Sequence, residues 1–595
     1  MGRDFTKCLI VRLFFGDVPM RLFHHLLIVV ASLGLPVCNA ADTKDVALHK
    51  QIDTILESSS PEFAEHAAPL CDDATFIRRV MLDLTATIPT PDRTRRFLAD
   101  KTPLAEKRTR LVTELLGTQA YSRRMQYLLD WILMERRTSE NVASAPWETY
   151  LRQAARENRP WSQLAQEILT DGGADPKTRP RSRFYLDREF DLVVVTRDVG
   201  RIFLGKDLEC AQCHNHPAVE SYLQRHYHGL RAFLDRSYLY TDSKTKKKSL
   251  GEKAEGDVTF TSVFDDSKGK TDPRVLDLPE IPDPSETLKQ YVTKPGKTQR
   301  GVPKYSRRGQ LGVAVTAESN RAFRLNIANR LWAAMVGRGL VEPLDLSHAD
   351  NPPTHPRLLD LLGDQLHAHG YDMRWFLGEV VQTKAYQRSS QISEESAEPA
   401  SRNFGVGLLK PLSPEQYAWS TMEATGFLSS VRQTAQKKIE NDNKSKKDAT
   451  GTGGDSSGKD ADKALPPGDA EAAIEEAVDK AVVGHIKTFI TQFASDGGQR
   501  TSFSATAPQA LFLINGPLVR QWLKPNSTNL TGRLSKLDDS SKVAEELYIG
   551  VLNRQPNDVE KKEVAEFLAA SPDRSEAIVE LTRVLLLAAE FRFNH

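Results

Sequence analysis

Apolar residues return at three- and four-residue intervals over most of the chain, the period of a buried helical face. Phe76, Ile77, Val80, Met81 and Leu84 form such a stripe behind Asp72 and Asp73, two residues suited to capping a helix start. Pro89 and Pro91 end that helix and open another. Amphipathic stretches follow through 104–137, 146–170 and 190–204. The charged residues Asp72, Asp83, Arg78 and Arg79 are expected as caps and a solvated helix face.

The pattern changes over residues 241–310. Val258 to Phe264 alternates like a strand, and Pro273, Pro279, Pro282 and Pro284 punctuate an extended stretch, which predicts a small β or extended insertion. Helical spacing resumes with Phe323, Ile327, Leu331 and Trp332. Thr354 is the expected cap of a helix that has Pro356 in its first turn and Gly370 beyond its end; Asp372 starts the next. Trp375 and Phe376 read as core. Residues 433–469 are Lys, Asp, Gly and Ser with almost nothing to bury, the composition of a disordered linker. Helices are expected again over 470–495, 507–523, 541–553, 558–570 and 574–592. The predicted fold is mainly α and multi-helical. Its domains are 45–240, a 241–310 insertion, and 311–595 interrupted by the 433–469 linker.

Charge excludes one class of partner. The 80 basic and 79 acidic residues cancel, and no basic run with interleaved aromatics offers a nucleic-acid footprint. The N-terminal stretch predicts export: Leu22 to Val37 is apolar, follows Arg21 and leads to small Ala40, the pattern of a signal peptide over residues 1–40 whose true start could be Met20. No later apolar run reaches the ~18 to 20 residues needed to span a bilayer. The expected location is therefore periplasmic, extracellular or cell-envelope. The expected partners are other exported proteins or redox partners. Past Ala40 only Cys71, Cys210 and Cys213 remain, too few for a disulfide framework.

Two of those three cysteines stand in Cys210-Ala-Gln-Cys213-His214-Asn-His216. Cys-x-x-Cys-His is the attachment pattern of haem c: two thiols join the vinyl groups and the adjacent histidine reaches the iron. Here Cys210 and Cys213 would be the attachment thiols and His214 the axial ligand, with His226 or His228 the nearest candidates for a sixth ligand. Zinc is the rival cofactor. Cys210 and Cys213 with two of His214, His216, His226 and His228 could close a tetrahedral site, although His226 and His228 are spaced more tightly than zinc sites usually have them. A third reading is a disulfide or a pair of structural thiols. The sequence contains no P-loop, dinucleotide-binding turn, G-x-S-x-G elbow or H-E-x-x-H. Thr354-His355-Pro356 and His348-Ala-Asp350 are better explained as a helix-start loop than as an active site.

Taken in order, these residues resemble a known pairing. Asp72-Asp-Ala-Thr-Phe-Ile-Arg-Arg-Val-Met-Leu-Asp-Leu-Thr-Ala-Thr-Ile-Pro89, Phe203-Leu-Gly205 and Cys210-Ala-Gln-Cys-His-Asn-His-Pro217 resemble the planctomycete cytochrome-like domain of unknown function fifteen-forty-nine. Asn329-Arg-Leu-Trp332, Gly337-Arg-Gly-Leu-Val341, Pro352 to Asp360, Ala385 to Ser390 and Leu513-Ile-Asn-Gly516 resemble its companion, domain of unknown function fifteen-fifty-three. The resemblance covers nearly all of 45–595; it implies export and a cytochrome-like Cys-x-x-Cys-His element, and implies no reaction. Asn215 stands where an acidic residue is usual in such proteins, and Ala218 where an aromatic is. The reading that follows is an exported haem-c-like redox or electron-transfer protein. The alternatives are a cell-envelope binding or scaffold protein with a zinc or disulfide clasp, and an extracellular polymer-degrading enzyme with no acid/base pair to nominate.

Overall fold

The helix behind Asp72 shows how the chain builds itself. Asp72 accepts from the Thr75 amide and caps Asp73–Thr85, and Ala86 ends the helix in the left-handed region. Thr90 caps Pro91–Ala99 in the same manner, with Pro91 in the first turn. The computed structural model describes residues 46–216, 219–263, 268–285, 290–450, 467–494 and 506–595. Among these are 27 α-helices and four two-stranded antiparallel pairs, so the fold is mainly α. The stretch read as a signal peptide lies outside the described residues. No described helix is both long and apolar enough to cross a membrane.

Arg78, Arg79 and Asp83 correct the sequence reading. They are buried rather than on a solvated face. Arg78 donates to Asn553 Oδ1 at 2.8 Å and to the carbonyls of Val551 and Phe591. Arg79 donates to the carbonyls of Tyr386 and Arg388. Asp83 accepts from Tyr386 Oη at 2.8 Å and from Lys410 Nζ. Buried charge survives when its hydrogen-bonding capacity is met, and here chain segments hundreds of residues away meet it.

Between the helix-rich stretches lie three small pairs: Ser237–Thr241 with Lys248–Glu252, Val258–Thr261 with Lys268–Thr271, and Tyr291–Thr293 with Val302–Pro303. The strand expected over 258–264 therefore ends at Thr261; residues 264–267 lie outside the described ones. Helix Pro356–Ala368 begins one residue later than expected. Its N-cap is His355, while the Thr354 hydroxyl turns to the Leu340 carbonyl. Asp372 does cap Met373–Gln382. Phe427–Thr450 is helical beyond residue 433 because Leu428 and Ala435 pack in one core with Val478, Val482 and Phe489 of Pro467–Phe493. The middle of the expected linker, 451–466, lies outside the described residues. The stretch expected over 507–523 breaks into Ala507–Asn515 and Pro517–Leu523, where a Cβ on Gly516 would lie 2.0 Å from the Phe512 carbonyl oxygen.

The main core takes residues from both sides of the β insertion. Trp161 stacks on Phe203 and on Phe323, with ring centroids 5.9 and 6.3 Å apart. Below it, Asn326 donates to the Ile202 carbonyl at 2.7 Å and Arg330 to that of Arg201 at 2.9 Å. A second core gathers residues from Tyr417 to Phe591 around Leu82 and Ile88 of the N-terminal part.

Candidate functional site

Helix Leu192–Leu204 delivers the cysteine motif. Asp191 caps it by accepting from the amides of Val193 and Val194, and Gly205 ends it at φ 68°. Glycine fits there twice over, because the left-handed backbone suits it and an added Cβ would sit 2.9 Å from Asn326 Oδ1. Arg197 then pins the following loop, reaching Asp207 at 2.7 Å and Glu209 at 2.9 Å. Cys210–Gln212 forms one 3-10 turn with Ala211 buried beneath it. Cys210 and Cys213 are both exposed, and among the described residues neither is in a disulfide. Cys71 is buried far along the chain, where desolvation raises its thiol pKa.

The predicted histidines fall into two groups. His214 follows the turn directly, its Nδ1 2.6 Å from the Asn215 carbonyl oxygen, so Nδ1 carries the proton and donates. That is the tautomer in which Nε2 is the ligating nitrogen. His216 Nδ1 accepts from the Val219 amide at 3.0 Å, and its own amide donates to the Tyr222 carbonyl. His226 and His228 are buried on helix Gln224–Leu234. His226 Nε2 lies 2.9 Å from Asp277 Oδ1 and its Nδ1 accepts from the Leu223 amide, so both ring nitrogens are engaged within the protein. His228 Nε2 donates to the Gln212 carbonyl at 3.1 Å. Its ring stacks on Phe260 with centroids 4.4 Å apart and planes at 4°. Burial lowers the pKa of both imidazoles, that of His228 to about 4. Among the described residues, no three His, Cys, Asp or Glu side chains group as a metal ion would require.

A third set of residues at this site comes from the second half of the chain, and of these the sequence singles out only His348. Lys206 pairs with Leu346, the Ser347 amide donates to the Gly205 carbonyl at 2.9 Å, and the Asp207 amide donates to the Asp345 backbone carbonyl. Lys206 Nζ donates to the Ser347 carbonyl at 2.6 Å and sits 5.3 Å above the Tyr222 ring. Tyr222 Oη donates to the same carbonyl at 3.2 Å. The Tyr222 ring lies edge-on between His216 and His348, at 6.0 and 5.5 Å. Burial lowers the Lys206 pKa and raises that of Tyr222. His348 thus reaches the motif after all, held near it through Tyr222. His355 stays away, packed against Phe404. More than a hundred residues separate these partners, and neither periodicity nor spacing carries that information.

The site is therefore an exposed dithiol turn with an adjoining histidine, backed by buried imidazoles and braced from the second half. Residues 51–238 match the family described as PSCyt2, protein of unknown function (DUF1549). Residues 307–568 match PSD1, protein of unknown function (DUF1553). The chain belongs to the proteins that carry these two domains in this order. No curated protein and no solved structure matches it.

Proposed function

We propose that this is an exported electron-transfer protein that carries haem c at the Cys210 turn. The observation that carries the reading is the turn itself: two exposed, unpaired thiols three residues apart, followed at once by His214 in the tautomer suited to ligation. Cys210 and Cys213 would each add a thiol across a vinyl group to form thioethers, and His214 would be the axial ligand. When bound, the haem supplies one-electron chemistry. The protein's part is to hold the two sulfurs at fixed spacing and to seat His214 against the Asn215 carbonyl. The apolar run before Ala40 supports export, and with it access to haem attachment outside the cytoplasm.

The test is to express the full chain in a host with haem-attachment machinery and to record the visible spectrum and the mass of the peptide containing residues 210–214. A Soret band together with a covalent haem adduct on that peptide is the expected result. A flat Soret region and unmodified cysteines would overturn the proposal. Stoichiometric zinc, or a Cys210–Cys213 disulfide in that same sample, would then assign the turn as a structural clasp.

A further inference from the structure

The buried imidazole of His228 is an uneconomical choice for a core position. It is 4% exposed, lies flat on Phe260, and keeps Nδ1 buried without a hydrogen-bond partner among the described residues. A phenylalanine would stack there as well and bury no polar nitrogen, and a buried polar atom left unpaired is costly. What phenylalanine lacks is the Nε2–H, and that proton goes to the carbonyl of Gln212, inside the Cys-x-x-Cys turn.

The same carbonyl takes a second bond. Gln224 Nε2 reaches the Gln212 oxygen at 3.4 Å and the Thr261 carbonyl at 3.3 Å, and its backbone amide donates to Asn215 Oδ1 at 2.9 Å. From the other side, the Val263 amide donates to the Cys213 carbonyl at 3.1 Å. One helix and the residues just past one strand therefore hold the backbone of residues 212–215 while both thiols stay exposed.

We propose that His228 is a positioning residue of the dithiol turn. Through Nε2–H it fixes the Gln212 carbonyl, and with Gln224 it sets the spacing at which Cys210, Cys213 and His214 are presented; it is not itself a ligand. Its consequence for haem capture rests on the proposed function above. The hydrogen-bond assignment does not.

Two variants separate the donor from the ring. His228→Phe keeps the stack on Phe260 and loses the donor; His228→Gln keeps an N–H donor and loses the stack. Amide hydrogen exchange is measured on the haem-free full chain, over the peptide spanning 208–216, with helix Arg321–Val336 as the internal control. A hydrogen bond of typical net strength corresponds to exchange about fivefold faster in His228→Phe, with His228→Gln staying near the native rate. The opposite order would show that only the ring matters. Equal rates in all three proteins, or equally raised rates in both variants, would also overturn the proposal. In the haem-attaching host, the attached fraction should fall for His228→Phe and persist for His228→Gln. A Soret band displaced in both variants would make His228 an iron ligand and overturn its positioning role. If the native chain takes up no haem, the functional proposal fails, while the exchange order still decides what His228 does.

Discussion

The resemblance implies an acidic residue at position 215, and the structure shows what Asn215 does there. What the position supplies is a side-chain oxygen that accepts from the Gln224 amide at 2.9 Å, at the start of the helix carrying both buried histidines. A carboxylate or a carboxamide meets that need equally. Asn215→Asp should therefore melt within experimental error of the native chain, whereas Asn215→Leu should lose about 1 kcal/mol in denaturant unfolding, the usual worth of such an acceptor. Equal losses in the two variants would refute the assignment. Lys206 and Tyr222 offer a second test at this scale. Both donate to the Ser347 carbonyl, and Lys206 also lies over the Tyr222 ring. Tyr222→Phe removes one neutral donor and should cost about 1 kcal/mol. Lys206→Met removes a charged donor and the contact with the ring and should cost more, about 2 kcal/mol. The double variant should fall short of the sum of the two, because the groups share an acceptor.

Among the elements, helix Leu192–Leu204 matters most, since its end sets where the cysteine turn begins. Asp191→Ala removes the acceptor for two of its first amides and should lower stability by about 1 kcal/mol, as read from the urea midpoint. Gly205→Ala meets both an unfavourable left-handed backbone and Asn326, so it should cost more than the cap; a smaller loss would refute that account. Much of this element was legible in the sequence, because caps, prolines and apolar spacing are local signals. Asp72 and Asp372 cap where their positions suggested, and most of the helices that were expected fall within a few residues of their expected bounds, whereas Gln224–Leu234 was not among them. The errors arose where distant chain decides. Arg78 and Arg79 look like surface residues until the carbonyls of Val551, Phe591, Tyr386 and Arg388 arrive to bind them. The close grouping of Cys210, Cys213 and His214 on one turn was legible from their spacing alone. The Ser347 brace and the clamp on Gln212 were not, because they depend on which loops the fold brings together.

Across the whole molecule, the shared core ties the motif to the second half. Phe323 is fully buried against Trp161 and Tyr371, beside the helix that leads to Cys210. Phe323→Ala should cost about 3 to 5 kcal/mol, and its effect should extend to hydrogen exchange in helix Leu192–Leu204. Protection of that helix left at the native level would mean that the two halves are not coupled through this contact. The molecule's buried histidines give it a further property as a whole, a graded sensitivity to acid. Burial holds His226, His228 and His355 below the usual imidazole range, so the folded chain binds fewer protons than the unfolded chain as pH falls below that range. Their stabilising effect is present above about pH 6.5 and is lost on acidification; for His228 the loss runs from 6.5 down to about 4. That single group accounts for on the order of 3 kcal/mol at the acid limit. Carboxylates act lower on the scale. The pKa values of Asp198 and Glu415 are lowered by their arginine partners despite burial, so their contribution is held until pH falls through the ordinary carboxylate range. Asp53 acts in the opposite sense: burial raises its carboxyl to about 6, so it favours the folded chain as pH falls from about 6 to 4. The histidine effect is therefore read from the difference between the native chain and a His228 variant in thermal melts of the haem-free protein. His228→Phe has no imidazole to protonate, so it should lose less stability than the native chain on acidification from about pH 7 to pH 4.5. A variant with the native pH slope would show that His228 is not held neutral by its burial on Phe260.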